Sequence, residues 1–212
     1  MTRSKKRSGA LHNQDWGLKI MSITQKVLVF AGSNSTQSIN QKLAIHASEV
    51  LKETSDMPVE IDVLDLNDYE MPIYSPERQA EGIPQLAYEF QAKIAASDAL
   101  IISLAEYNGS YAAAFKNIFD WCSRIDKTVF QQKPMLLMAT SPGPNGARNV
   151  HGAAMSGFPF YGGNIVSNFQ FGPFGKHFDV ETGSLSSPDL RTELLSAVEE
   201  LQTALAKREE AA

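Results

Sequence analysis

Cysteine is nearly absent from this chain of 212 residues, which has only Cys122. That excludes an internal disulfide framework and a zinc site built from several thiolates, and it fits a reducing compartment. Long apolar runs are missing as well; none approaches the ~20 residues that a membrane-spanning helix needs. Positive charge is in deficit: the formal net charge is −5, which argues against nucleic acid as the main partner. Histidine is scarce, and His12, His46, His151 and His177 lack metal-ligand spacing, so no metal site is expected. There is no internal repeat. Neither a Walker loop with its Gly-Lys-Ser/Thr nor a GxGxxG fingerprint is present, and no side-chain nucleophile is evident.

The first twenty residues differ from the rest. Arg3, Lys5, Lys6, Arg7 and Lys19 stand against Asp15 alone, yet no apolar segment of signal-peptide type follows. Met21 stands just before the first strand. Residues 1–22 are therefore expected to form a mobile N-terminal tail, and residues 23–212 one domain. A basic targeting arm is the competing reading of the tail.

From Lys26 onward, short apolar runs alternate with helical patterns. Strands are expected at Lys26–Phe30, Val59–Asp65, Ala99–Leu104, Pro134–Ala139 and Asn164–Phe169. Ala99–Leu104 is β-branched and nearly all apolar, as a strand covered on both faces is. Val59–Asp65 alternates, as an edge strand does. Helices are expected from about Ser38 to Glu53, Pro84 to Ser97, Ala112 onward, Arg148 to Ser156 and Ser186 onward, with long loops at residues 66–83 and 170–187. In the third helix Phe115, Ile118, Phe119, Cys122 and Ile125 recur at spacings of three and four, which makes Cys122 a core thiol rather than a nucleophile. His46 falls off the apolar face of its helix and is expected in solvent. The alternation predicts an α/β fold, a doubly wound five-stranded parallel sheet of order 2-1-3-4-5 in a single domain.

In that order the loops after strands one, three and four meet at the switch point, where open α/β sheets bind ligands. The first loop carries Ser33, Ser35, Thr36, Ser38 and Asn40 into a helix N-terminus, where unpaired N–H groups and the dipole favour an anion. It reads equally as a Ser-rich turn in which Ser38 or Asn40 caps the helix. The second, Glu106-Tyr107-Asn108-Gly109-Ser110, offers a flat aromatic beside a glycine that admits close approach; it also reads as a plain Asn-Gly turn. The third, Ser141–Gly146, can form a backbone wall through Gly143 and Gly146, or be an ordinary Pro-Gly turn. Lys116, Asn117 and Asp120 interrupt the apolar stripe of the third helix and either support the loop above them or solvate its outer face; Tyr74 is either at the mouth of the site or a surface aromatic.

Three stretches resemble one family. GSNSTQSIN at Gly32–Asn40 is similar to GSxRxxSxN, AEYNGSYAAAFKNIFDW at Ala105–Trp121 to PEYNxSxPxxLKNAIDW, and KPMLLMATSPGPNG at Lys133–Gly146 to a strand followed by SPGxxGG. These patterns belong to the NADPH-dependent FMN reductases, with their chromate-, quinone-reductase and azoreductase relatives. The resemblance implies a flavodoxin-like fold that binds FMN. Ser33, Ser35, Ser38, Ile39 and Asn40 would hold the phosphate. Glu106, Tyr107, Asn108, Gly109, Ser141 and Gly143 would face the isoalloxazine, with Ala105, Pro142 and Gly146 completing the cofactor-binding set.

It further implies NADPH or NADH as co-substrate, hydride transfer to FMN, and two-electron reduction of a small-molecule acceptor: a quinone, free flavin, azo compound or oxyanion. A homodimer or homotetramer follows from the same resemblance, and a cytoplasmic location is expected. A flavodoxin-type electron carrier is the alternative. Four positions depart from the family pattern. Ser35 stands where the family has Arg, Ala105 and Ala112 where it has Pro, and Ala147 where it has Gly.

Overall fold

The computed structural model describes residues 24–210; the expected tail, residues 1–22, lies outside them. Five parallel strands form one sheet: β1 (Gln25–Gly32), β2 (Val59–Leu64), β3 (Ala99–Leu104), β4 (Pro134–Thr140) and β5 (Asn164–Phe171). Their order across the sheet is 2-1-3-4-5, as the sequence predicts. The helices between them are α1 (Ile39–Thr54), α2 (Gln85–Ala96), α3 (Ala113–Ile125), α4 (Arg148–Gly157) and α5 (Pro188–Glu210).

Each central strand divides its side chains between two apolar layers. Val27, Val29, Ile101, Leu136 and Met138 pack with α1 and α5 through Leu43, Leu51, Val198 and Leu201. Leu28, Phe30, Ile102 and Leu137 pack on the other face with α2, α3 and α4 through Phe90, Ile94, Phe115, Ile118 and Val150. All residues of β3 are buried. The burial along β2 is patchy, as befits an edge. Helices on both faces are the only way to cover a sheet whose strands are apolar on both sides.

The layer under α3 and α4 is unusually aromatic. Phe119 stacks on Phe130, and Phe158 contacts Phe115, Phe119 and Phe130 with centroids 4.4–6.1 Å apart. Tyr111 lies parallel to Phe158 at 6.1 Å. Cys122 is buried in this layer, and burial pushes its thiol pKa up to about 12. It is core, as its spacing indicates, and too weakly acidic to act as a nucleophile.

Several expectations are corrected. Residues 66–83 are not a plain loop: they contain a 3-10 turn, Leu66–Tyr69, and a short helix, Pro76–Glu81. Ser75 accepts a hydrogen bond from Arg78 N and Pro76 occupies the first turn, a start signal hidden by the brevity of the helix. The Glu106–Ser110 loop is a tight antiparallel hairpin pairing Glu106–Tyr107 with Ser110–Tyr111. Asn108 and Gly109 form its tip at φ 52° and 76°, the left-handed pair that such a turn requires. The stretch 170–187 holds a short helix, Phe174–His177, and a second hairpin, Phe178–Asp179 with Ser184–Leu185.

His46 is half-buried rather than solvated. It packs edge-on against Phe178 at 5.8 Å and accepts from Leu185 N. That hairpin covers the side of α1 which the helix pattern alone leaves in water. Tyr74 is engaged too: it packs edge-on against Trp121, lies under Arg124, and donates to Gln79. Asn117 binds the backbone of Met71, Pro72 and Tyr74, whereas Lys116 and Asp120 form an exposed i,i+4 ion pair.

Candidate functional site

At the carboxyl ends of β1, β3 and β4 lies a cleft of about 220 Å³. Ser33, Ser35, Ser38, Ile39 and Asn40 line it from the first loop, Ala105, Glu106 and Tyr107 from the second, and Ser141 and Pro142 from the third. Asn108 and Gly109, at the hairpin tip, and Gly143 and Gly146, further along the third loop, are not among the residues lining it. Gln37 and Thr140 also line the cleft. Sequence reasoning passed over both, because Gln37 is an unremarkable residue inside a Ser-rich turn and Thr140 reads as the end of a strand.

The first loop is a series of short local turns. Ser33 Oγ accepts from Ser35 N, Ser35 Oγ from Gln37 N, and Ser38 Oγ from Gln41 N. Ser38 is thus the N-cap of α1. Among the described residues, the N–H groups of Thr36, Ile39 and Asn40 have no acceptor. These donors at a helix N-terminus are the arrangement that holds an anion. Among the described residues, no Lys or Arg lines the cleft, so every group they offer to an anion there is neutral.

Asn40 is 2 % exposed, and its side chain is fully engaged in the protein. Its Oδ1 accepts from Thr140 N at 3.0 Å and from Ser103 Oγ at 2.8 Å, while Nδ2 donates to Thr140 O at 3.1 Å. One amide therefore joins the start of α1 to the ends of β3 and β4. Its side chain fixes the three loops relative to one another and leaves its backbone N–H for a ligand.

Glu106 also turns to the protein. Oε2 accepts from Val150 N at 2.9 Å and Oε1 from Asn149 Nδ2 at 3.3 Å. Ala147, the residue before α4, has no capping side chain, and the carboxylate of Glu106 fills that role across forty-odd residues of sequence. Tyr107 remains half-exposed at 51 %.

The third loop is braced from several sides. Ser141 Oγ accepts from Ala147 N and donates to Gly143 O, and Ser141 O accepts from Phe174 N. Gln170 donates to the carbonyls of Asn145 and Gly146. A Cβ on Gly146 would meet the Phe171 backbone at 2.4 Å, and its φ is +56°, so glycine is required there. Nothing in the sequence near this loop points to Gln170, which reaches it from the neighbouring strand.

Fold and site together define an α/β protein with a cleft at the sheet's switch point, lined by serines and N–H groups without acceptors, and an exposed aromatic beside it. Residues 25–174 match the family model described as NADPH-dependent FMN reductase, and the chain belongs to that family. An NAD(P)H-dependent FMN reductase of Pseudomonas aeruginosa is 33% identical over 126 residues, 58% of this chain and 63% of the relative. A quinone reductase of Pseudomonas putida is 28% identical over 141 residues, 66% of this chain and 73% of the relative. The match thus spans less than two thirds of the first of these. A flavoenzyme NAD(P)H:(acceptor) oxidoreductase from Paracoccus denitrificans superimposes with a TM-score of 0.67 at 24% identity, over 87% of this chain and 98% of that one. Its likeness establishes the flavodoxin-like fold.

Proposed function

We propose that the protein is an NAD(P)H-dependent, FMN-containing oxidoreductase that reduces a small-molecule acceptor such as a quinone, free flavin, azo compound or oxyanion. The observation that carries the reading is the cleft: three loops from distant parts of the chain present free N–H groups, serine hydroxyls and an exposed aromatic to one volume. Membership of the family gives that cleft its ligand.

The residues fit FMN in kind. The N–H groups of Thr36, Ile39 and Asn40 and the hydroxyls of Ser33 and Ser38 would take the phosphate. Ala105, Tyr107, Ser141 and Pro142 would border the ring system, with Asn108, Gly109, Gly143 and Gly146 shaping the backbone around it. FMN, when bound, supplies the hydride chemistry. The protein's part is to hold the cofactor, orient it, and leave one face open to nicotinamide and acceptor in turn. No side chain needs to attack anything, and the only cysteine among the described residues is buried away from the cleft. A cytoplasmic location and a homodimeric or homotetrameric assembly accompany this reading. Among the described residues, no helix is long and apolar enough to cross a membrane.

The test is direct. The purified protein should quench FMN fluorescence and gain thermal stability from FMN. Loaded protein should then oxidise NADPH or NADH and pass the electrons to a quinone with parallel double-reciprocal lines. A protein that neither quenches FMN nor is stabilised by it refutes the proposal. Reduction by dithionite without response to either nicotinamide would instead indicate an electron carrier.

A further inference from the structure

We infer that Glu106 is a positioning residue for the flavin site: its carboxylate ties the Tyr107 hairpin to the first turn of α4 and fixes a negative charge in the cleft wall. The inference rests on the FMN reading given above. Among the described residues that line the cleft, Glu106 alone bears a charge. Its two oxygens face Val150 N and Asn149 Nδ2, so it is held where it stands rather than free to swing towards solvent.

Two consequences follow from that placement. The hairpin has an anchor at each end: Tyr111 lies on Phe158, and Glu106 is bound to α4. Tyr107, between them, is therefore presented at a fixed height beside the cleft. The second consequence is electrostatic. The α4 N-terminus carries partial positive charge, which by itself would favour an anion in the cleft. The Glu106 carboxylate sits on that terminus and offsets it. Taking a hydride from nicotinamide adds one negative charge to the flavin ring, and this charge meets the carboxylate rather than a bare helix end. Glu106 therefore makes the reduced cofactor a stronger donor to the acceptor.

The experiment uses the full chain with Glu106→Gln and Glu106→Ala. Gln keeps the size and an oxygen for Val150 N–H but removes the charge; Ala removes both. In FMN-free protein, amide exchange at Val150 should stay near wild type in the Gln variant and quicken about tenfold or more in the Ala variant. In FMN-loaded protein, both variants should bind reduced FMN more tightly relative to oxidised FMN. Removing one unit of negative charge from the cleft wall should change that ratio about tenfold. That corresponds to a midpoint potential about 30 mV more positive for a two-electron couple.

A purely structural role would leave the potential of the Gln variant unmoved, and a change below about twofold in relative affinity overturns the charge assignment. Unchanged Val150 exchange in the Ala variant overturns the tether. A wild-type protein that takes up no FMN overturns the functional reading and the electrostatic role with it, whereas bound FMN with an unmoved potential overturns this inference alone.

Discussion

Replacing Asn40 with alanine tests whether the three loops are held together by one buried amide. The substitution removes the partner of Thr140 N–H, Thr140 C=O and Ser103 O–H. Thr140 is 1 % and Ser103 0 % exposed, so bulk water does not replace the lost bonds. A buried polar group left without its partner costs ~1–3 kcal/mol. Taking the low part of that range for each of the three gives a loss of about 3–5 kcal/mol, a large share of the ~5–15 kcal/mol typical of a folded domain. Urea unfolding of FMN-free protein should show the midpoint falling with an unchanged slope, and Tm should drop by roughly 6–20 °C. A double-mutant cycle with Ser103→Ala should return a coupling of about 1 kcal/mol, because Ser103 loses nothing further once Asn40 is gone. A loss below about 1 kcal/mol for Asn40→Ala, or strict additivity with Ser103→Ala, would refute the idea that this amide is the clasp.

Two other predictions concern charge. Ser38→Asp keeps an N-cap of comparable quality but sets a carboxylate against the FMN phosphate; a repulsion of ~2–3 kcal/mol should weaken FMN binding roughly 30- to 150-fold while riboflavin binding hardly changes. Binding of FMN within about threefold of wild type would leave Ser38 as a helix cap only. Burial holds the imidazoles of His46 and His151 below their ordinary value; for His46, Glu49 and Glu53 oppose the shift and Arg191 adds to it, and for His151 a hydrogen bond donated to the Leu137 backbone carbonyl opposes it. The unfolded chain takes up these protons near pH 6.5 and the folded chain only lower, so stability is fully present above about pH 6.5 and declines as pH falls towards the folded values. The urea midpoint should fall between pH 7 and pH 5, and His46→Gln with His151→Gln should flatten that slope; an unaltered slope in the double variant would exclude these two groups as its source.

The sheet was legible because parallel strands buried on both faces must be apolar throughout, as Ala99–Leu104 and Pro134–Ala139 are. Strand order followed from the alternation of strand and helix. The neighbourhood of the cleft was legible for the same reason, since the loops after strands one, three and four are brought together by topology alone. What the sequence did not reveal is which way side chains turn within those loops. Asn40 and Glu106 look like ligand-facing polar residues, yet both are drawn into the protein by partners about forty to one hundred residues away. Gln170 and the 178–185 hairpin were missed on the same ground. Long-range side-chain hydrogen bonds leave no periodicity, and a helix such as Pro76–Glu81 is too short to show one. The burial of His46 depends on a hairpin that no pattern within α1 can announce.

The aromatic layer beneath the Glu106–Tyr111 hairpin bears on when order is imposed. Tyr111, Phe158, Phe119 and Phe130 interlock as the chain folds, and the residues above them are fixed in the same event. A site assembled this way meets its ligand already shaped. The conformational entropy of the loop is surrendered during folding and does not subtract from the free energy of association. Among the described residues, the same bracing leaves the hairpin beside the cleft with little to settle when a ligand arrives.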